Sequence, residues 1–267
     1  MNLAAAAQSS IGRKLVNGIT GFLLLGFVIG HLIGNFLLLA GPGEFNNYAH
    51  FLESLGHGKL LYVVELGLIA IFLSHAWSGY SVWANKWKAR RTNYEMPADA
   101  GGQSKKSVSS TSMLWTGVLL LAFVVVHVLQ FKFGVFDAGA NRDVIVDGVA
   151  MRNLYGIVID AFSSPLWTGL YLLVMSALGA HLWHGAWSAF QSTGLADGNY
   201  LPTINKLGHA LAGILAAGFL FLPAWVYVNN AHYQSLDDEY QTKYQVSQNV
   251  GDTIKVSGLF KSAEKGA

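Results

Sequence analysis

The stretch Gly21–Phe36, GFLLLGFVIGHLIGNF, decides how this chain is read. It belongs to an apolar segment long enough to cross a bilayer, yet it carries an imidazole, His31. A histidine in hydrocarbon is costly unless something inside the protein occupies its ring nitrogens, so it marks a functional site by default. Three more long apolar segments repeat the arrangement, with His75, His127 and His181 deep inside them.

Composition agrees with a membrane setting. Of the 267 residues, 52% are hydrophobic and 12% charged, and the mean hydropathy is +0.38. Soluble domains carry about 25% charged residues. A net charge of +2 gives no support for nucleic-acid binding. The absence of cysteine excludes disulfides, thiolate zinc sites, cysteine-ligated iron–sulfur clusters and covalently attached haem. The opening MNLAAAAQSSIGRK places Arg13 and Lys14 after its alanines, the reverse of a secretory signal. Ile11 onward is therefore expected to begin the first membrane helix.

Five segments are expected to span, at about 15–40, 60–84, 113–133, 166–190 and 206–228. Gly41-Pro42-Gly43 stops the first, Ser163-Ser164-Pro165 precedes the fourth, and Pro202 precedes the fifth, with Pro223 near its far end. The link between the second and third holds Lys86, Lys88, Arg90, Arg91, Lys105 and Lys106, which the positive-inside rule puts in the cytoplasm. The N-terminus then lies inside and the C-terminus outside, where Asp137, Asp143, Asp147 and Asp160 fall. Residues 1–228 form one domain. The polar tail at 229–267 reads equally as a helix against the outer face or as partly disordered.

Successive helices cross in opposite directions, so the four histidines fall at two levels, separated by roughly 10 Å. In an up-down bundle the first and third helices are diagonal, as are the second and fourth. The spacing predicts His31 with His127 at an outer level and His75 with His181 at an inner one. Two stacked imidazole pairs are what two bis-histidine haems require. The expected fold is an all-α membrane protein of five transmembrane helices, the first four forming an up-down bundle around two stacked haems.

Two details bear on the inner pair. His75-Ala-Trp-Ser-Gly79 and His181-Leu-Trp-His-Gly185 each put a glycine one turn after the histidine, where a flat macrocycle can approach the backbone. The alternative, with His184 and His209 as the functional pair, stays open. A binuclear metal site finds little support, because the second to fifth helices offer only Glu65 as a carboxylate, near an end.

The chain resembles the cytochrome b membrane subunit of succinate dehydrogenases and fumarate reductases, in the five-helix, single-subunit, two-haem form. The resemblance covers most of residues 9–228. It is carried by Ser9-Ser-Ile-Gly-Arg-Lys14, Gly30-His31-Leu-Ile-Gly34-Asn35, and Gly41-Pro42 with Phe45-Asn46-Asn47-Tyr48-Ala49-His50. Ser74-His75-Ala-Trp-Ser-Gly79 and Leu182-Trp-His-Gly-Ala-Trp-Ser-Ala-Phe-Gln191-Ser-Thr-Gly194 continue it. It implies a bacterial inner-membrane protein anchoring a flavoprotein with FAD and an iron–sulfur protein. Electrons would pass from the clusters through two b haems to menaquinone, with dicarboxylate chemistry on the flavin. A homo-oligomer of the whole complex is compatible with it. Some fumarate reductases of this type carry a glutamate two residues before the fourth ligand. Gly179 stands there, which puts that proton path in doubt.

Haem propionates seek basic partners near the membrane edge, which nominates Arg13, Lys14, Lys86 and Lys206 on the inner side. Simple positive-inside anchoring accounts for each equally well. Trp77 and Trp183 are expected haem contacts among the inner-side aromatics. For quinone and proton chemistry on the outer side the choices are Glu53 and Glu65, then His50 and Asn35. Competing readings are a dihaem cytochrome b serving a hydrogenase or formate dehydrogenase, a haem-free transporter relaying protons through histidines, and a purely structural anchor.

Overall fold

The computed structural model describes residues 9–88, 108–136, 143–195 and 199–244, with Lys86 and Trp87 in backbone only. Arg90, Arg91, Lys105, Lys106, Asp137 and residues 245–267 lie outside the described residues.

Helix α1, Ser10–Phe36, opens on a Ser9 cap whose Oγ accepts the Gly12 N–H at 3.0 Å. A 3-10 turn, Leu37–Ala40, continues it to Gly41, where φ of +109° breaks the helix. Pro42 then starts a new helix, α2 (Pro42–Ser54), since proline suits the first helical turn. The Gly-Pro-Gly stop is thus also a start. Helices α3 (Lys59–Lys88) and α4 (Val108–Phe131) follow. Next come strands β1 (Asp143–Val146) and β2 (Val149–Arg152), paired antiparallel with Val146 opposite Val149. Asp147 and Gly148, both at positive φ, make the two-residue turn that such a hairpin requires. The chain closes with α5 (Leu154–Ser163), α6 (Pro165–Ser192), α7 (Leu201–Val228) and α8 at 230–244. Pro202 falls in the first turn of α7, so that helix starts about five residues earlier than its hydropathy suggests.

Five of these helices, α1, α3, α4, α6 and α7, are long and apolar enough to cross a membrane. Packing joins α1 to α3, α1 to α6 and α4 to α6, with a sparser contact between α3 and α4. No substantial packing joins α1 to α4 or α3 to α6, so these four helices sit at the corners of a square with those pairs on its diagonals. Neighbours run antiparallel. Gly18 near the start of α1 meets Ser192 and Thr193 at the end of α6, and Glu65 early in α3 pairs with Lys132 just past α4. We call the end holding the start of α1 the near end, and the opposite one the far end.

Helix α7 lies outside the square, against α6 and α1. The core sits where these three meet, around Leu32, Val174, Met175, Leu215 and Phe219. Glycines set the closeness of α6 and α7. A Cβ on Gly208 would stand 2.8 Å from the Trp187 Cβ and 3.0 Å from its backbone nitrogen. One on Gly179 would stand 2.9 Å from Ala216.

The far end carries α2, the hairpin, α5 and α8. Tyr233, Asp237 and Tyr240 of α8 recur on one helical face and are all buried. Their polar groups need partners there. Asn46 Nδ2 donates to Asn153 Oδ1 (2.8 Å), and Asn153 Nδ2 donates to Asp237 Oδ1 (2.7 Å). The Tyr155 N–H donates to Asn46 Oδ1 (2.9 Å), and Gln241 Nε2 to Asp237 Oδ2 (2.5 Å). These bonds tie α2, α5 and α8 together. Arg152 closes the end of α4 by donating to the Phe131 and Lys132 carbonyls at 2.7 and 3.1 Å. The tail, open between two readings in the sequence, is a packed helix as far as residue 244.

Two stability predictions follow from this packing. Gly208→Val should lower the thermal unfolding midpoint in detergent, at a cost of about 1–3 kcal/mol for overpacking against α6. Gly213, whose Cβ position has nothing within 4 Å, should accept alanine with a gain of roughly 0.5–1 kcal/mol. Equal effects at both sites would contradict the close α6–α7 approach. The second concerns Tyr155, fully buried with its hydroxyl unpartnered among the described residues. Burial, then Tyr233 and Asp237, pushes its phenol above the ordinary 10.0. The folded state holds this proton more tightly than the unfolded one, so the stabilisation is full below pH 10 and lost above it. Tyr155→Phe should flatten the alkaline fall in unfolding midpoint and change little at neutral pH. An unchanged alkaline limb would rule Tyr155 out as its source.

Candidate functional site: two facing histidine pairs

The square places one histidine at each corner and turns all four inward. On the α1–α4 diagonal, His31 and His127 have ring centres 5.8 Å apart at an interplanar angle of 89°. On the α3–α6 diagonal, His75 and His181 stand 6.4 Å apart at 70°. An imidazole nitrogen sits about 2 Å from a metal it binds and its ring centre about 1 Å beyond, so two rings flanking one ion have centres about 6 Å apart. Among the described residues no group of three His, Cys, Asp or Glu side chains converges. A metal held by either pair must therefore bring its remaining ligands with it.

Three of the four rings have a defined hydrogen-bond partner. His75 Nδ1 lies 3.2 Å from Thr20 Oγ1, and His181 Nδ1 lies 3.0 Å from Thr116 Oγ1. Each threonine hydroxyl also lies within donating distance of carbonyls of its own helix: Thr20 of Val16 (2.7 Å) and Asn17 (3.2 Å), Thr116 of Ser112 (3.1 Å) and Met113 (3.2 Å). With its one hydrogen spent on the helix, each oxygen would accept from the imidazole, and the tautomer with its proton on Nδ1 is the one that leaves Nε2 for a metal. His127 obeys the same count. Its Nδ1 lies 3.1 Å from the Tyr171 hydroxyl, which donates its only hydrogen to Gln130 Oε1 at 3.0 Å. In each of these three rings the Nε2 lone pair is left for a metal. His31 is held by stacking, on Phe27 (5.4 Å, 15°) and Phe219 (6.2 Å, 30°).

A glycine lies against the edge of each ring of the near pair. A Cβ on Gly21 would lie 3.4 Å from His75 Cε1, and one on Gly117 3.6 Å from His181 Cε1. These are not the glycines singled out by their place after a histidine. Gly79 faces Asn17 and Gly185 faces Met113, so they seat side chains of neighbouring helices. Thr20-Gly21 and Thr116-Gly117 were missed, although the sequence marks them. Each Thr-Gly precedes a paired histidine at the same spacing, Thr20 to His31 and Thr116 to His127. That interval of eleven residues rises about 16 Å. Since Thr20 is level with His75, and Thr116 with His181, the two pairs lie about 16 Å apart along the bundle. Segment edges alone give a separation on the order of 10 Å. Side-by-side register sets the level of a ring, and hydropathy edges do not report it.

His184 lies one turn beyond His181 with its ring edge-on to Trp187 (5.2 Å), and His209 stacks on Trp183 (4.4 Å, 33°). Neither belongs to a facing pair. Trp77 is 71% exposed beside Tyr80, and Trp183 packs on His209. At the near end Arg13 is half-buried and Lys14 exposed, both in the first turns of α1. Lys86 lies in the last turns of α3, and its side chain is outside the described residues. At the far end Glu53 is exposed on α2, while Glu65 is paired with Lys132, whose ammonium also lies 5.6 Å from the Tyr62 ring centre. His50 and Asn35 are half-buried there. No family model, curated protein or solved structure matches this chain.

Proposed function

We propose that this chain is the membrane-anchoring, dihaem cytochrome b subunit of a succinate:quinone oxidoreductase, working between an iron–sulfur partner and membrane menaquinone. The observation that carries the proposal is the pair of facing imidazole couples, 5.8 and 6.4 Å between ring centres. Each supplies two nitrogens on opposite sides of a gap and nothing else, which suits a metal already held in a macrocycle. Nothing in an apolar bundle but haem answers that description as directly. In this reading the square is an up-down bundle around two stacked haems, with His75 and His181 at the near one and His31 and His127 at the far one. When bound, each haem supplies a one-electron carrier. The family resemblance around Gly41–His50 and Leu182–Gly194 supplies the choice of parent enzyme, its flavoprotein and its bacterial inner membrane.

The chain's own residues then divide by end. The near end, with Arg13, Lys14, Lys86 and Lys88, faces the cytoplasm by the positive-inside rule and receives the soluble partners. Arg13, Lys14 and Lys86 would meet haem propionates as charge-assisted donors. The far end faces outward, together with α8. There Glu53 and Glu65 serve as proton acceptors for a quinol, with His50 and Asn35 as the next candidates. Glu65 is held in an ion pair with Lys132.

A dithionite-reduced minus oxidised spectrum of the purified chain, with haem quantified, tests the proposal. Two b haems per chain are expected. None would overturn it in favour of a proton-relaying transporter. His75→Ala and His181→Ala should each remove the same haem, and His31→Ala and His127→Ala the other. Loss on His184→Ala with retention on His181→Ala would reassign the fourth ligand. Glu65→Gln should slow quinol turnover about 10²-fold or more while leaving the haem spectrum intact. Co-purification with a hydrogenase or formate dehydrogenase instead of a flavoprotein would change the parent enzyme.

A further inference from the structure

We infer that Thr20, Thr116 and Tyr171 are positioning residues that hold three of the four axial imidazoles as Nδ1–H tautomers and set how strongly each donates to its iron. The inference rests on the dihaem reading and adds to it a separate control for each centre.

The near centre has a repeated device. Thr20-Gly21 on α1 acts on His75 of the antiparallel neighbour α3, and Thr116-Gly117 on α4 acts on His181 of the antiparallel neighbour α6. In both, the threonine oxygen lies within hydrogen-bond distance of Nδ1 and the next residue, a glycine, lies against the ring edge. The far centre uses other means. His127 donates to Tyr171, whose hydroxyl is aligned by Gln130, a side chain only 3% exposed. Gln130 is therefore the back-stop of this relay: as an acceptor it fixes which way the phenol hydrogen points.

A hydrogen-bond acceptor on Nδ1–H raises the basicity of the opposite nitrogen and orients the ring. Greater donation to iron favours its ferric state and lowers the reduction potential. Because the three hydroxyls act on different rings, the near and far centres can be shifted one at a time. Thr20 and Thr116 act only on the near one, Tyr171 only on the far one.

The test is potentiometric titration and low-temperature electron paramagnetic resonance of the purified, haem-loaded chain. Thr20→Val and Thr116→Val should keep two haems, raise the midpoint potential of the near centre alone and move its low-spin signal. Thr20→Ser and Thr116→Ser, which keep the oxygen, should restore both readings. Tyr171→Phe should move the far centre alone. Two haems with unchanged potentials and signals in the valine and phenylalanine variants would overturn the inference and leave the dihaem reading standing. Serine variants shifted as far as the valine ones would also overturn it, by showing that packing and not the hydroxyl matters. If a valine variant loses the near haem while its serine counterpart keeps it, the hydroxyl role is upheld in a stronger form. An unmodified chain without haem would instead overturn the proposed function itself.

Discussion

An imidazole inside an apolar bundle must have both ring nitrogens engaged, and most of this architecture answers to that demand. Three Nδ1 atoms lie within hydrogen-bond distance of oxygens on an adjacent helix, from Thr20, Thr116 and Tyr171. Each such bond fixes a ring's rotation and also the axial register of two antiparallel helices. The Nε2 atoms are then left to the centre of the square. Without a metal between them, each pair would be two buried polar groups facing one another, a costly arrangement. A metal between the rings of each pair would engage both of them, which is the ground of the haem proposal.

Helix α6 is the hub. It packs on α1, α4 and α7, carries His181, and supplies Tyr171 to the far pair. Its contact with α7 is close because Gly179 and Gly208 remove side chains from it. The opposite side of the square is loose, since α3 and α4 touch sparsely and are clasped at the far end by Glu65 and Lys132. In water such a seam would be a defect. In lipid, apolar side chains lose little by facing hydrocarbon, so helices can stay apart where nothing specific joins them.

The far end follows different physics. Here the elements are short and not long enough to span, and they are held by carboxamides and a carboxylate. Asn46 and Asn153 are both fully buried, and Asp237 is 4% exposed. Their bonds join α2, α5 and α8 across more than 190 residues of chain, from Asn46 to Asp237. The cap thereby covers the end of the bundle where the proposed quinol chemistry occurs.

The amino-acid sequence by itself determined the five spanning segments, because twenty-residue apolar runs have few other solutions. It also determined which histidines could meet, because alternating direction sorts the four into two levels. The hairpin was legible in principle, since Asp147-Gly148 lies between valine-rich runs, and so were the Thr-Gly pairs at their repeated spacing. Both were passed over because turn chemistry and second partners carry no hydropathy signal. Other features belonged to the tertiary structure alone: the spacing of the two levels, the partners of Nδ1, and the packing of α8. Each depends on how one helix slides and rotates against another. That choice is made by contacts between residues far apart in the chain, such as Thr116 with His181 and Asn153 with Asp237, and no single segment contains it.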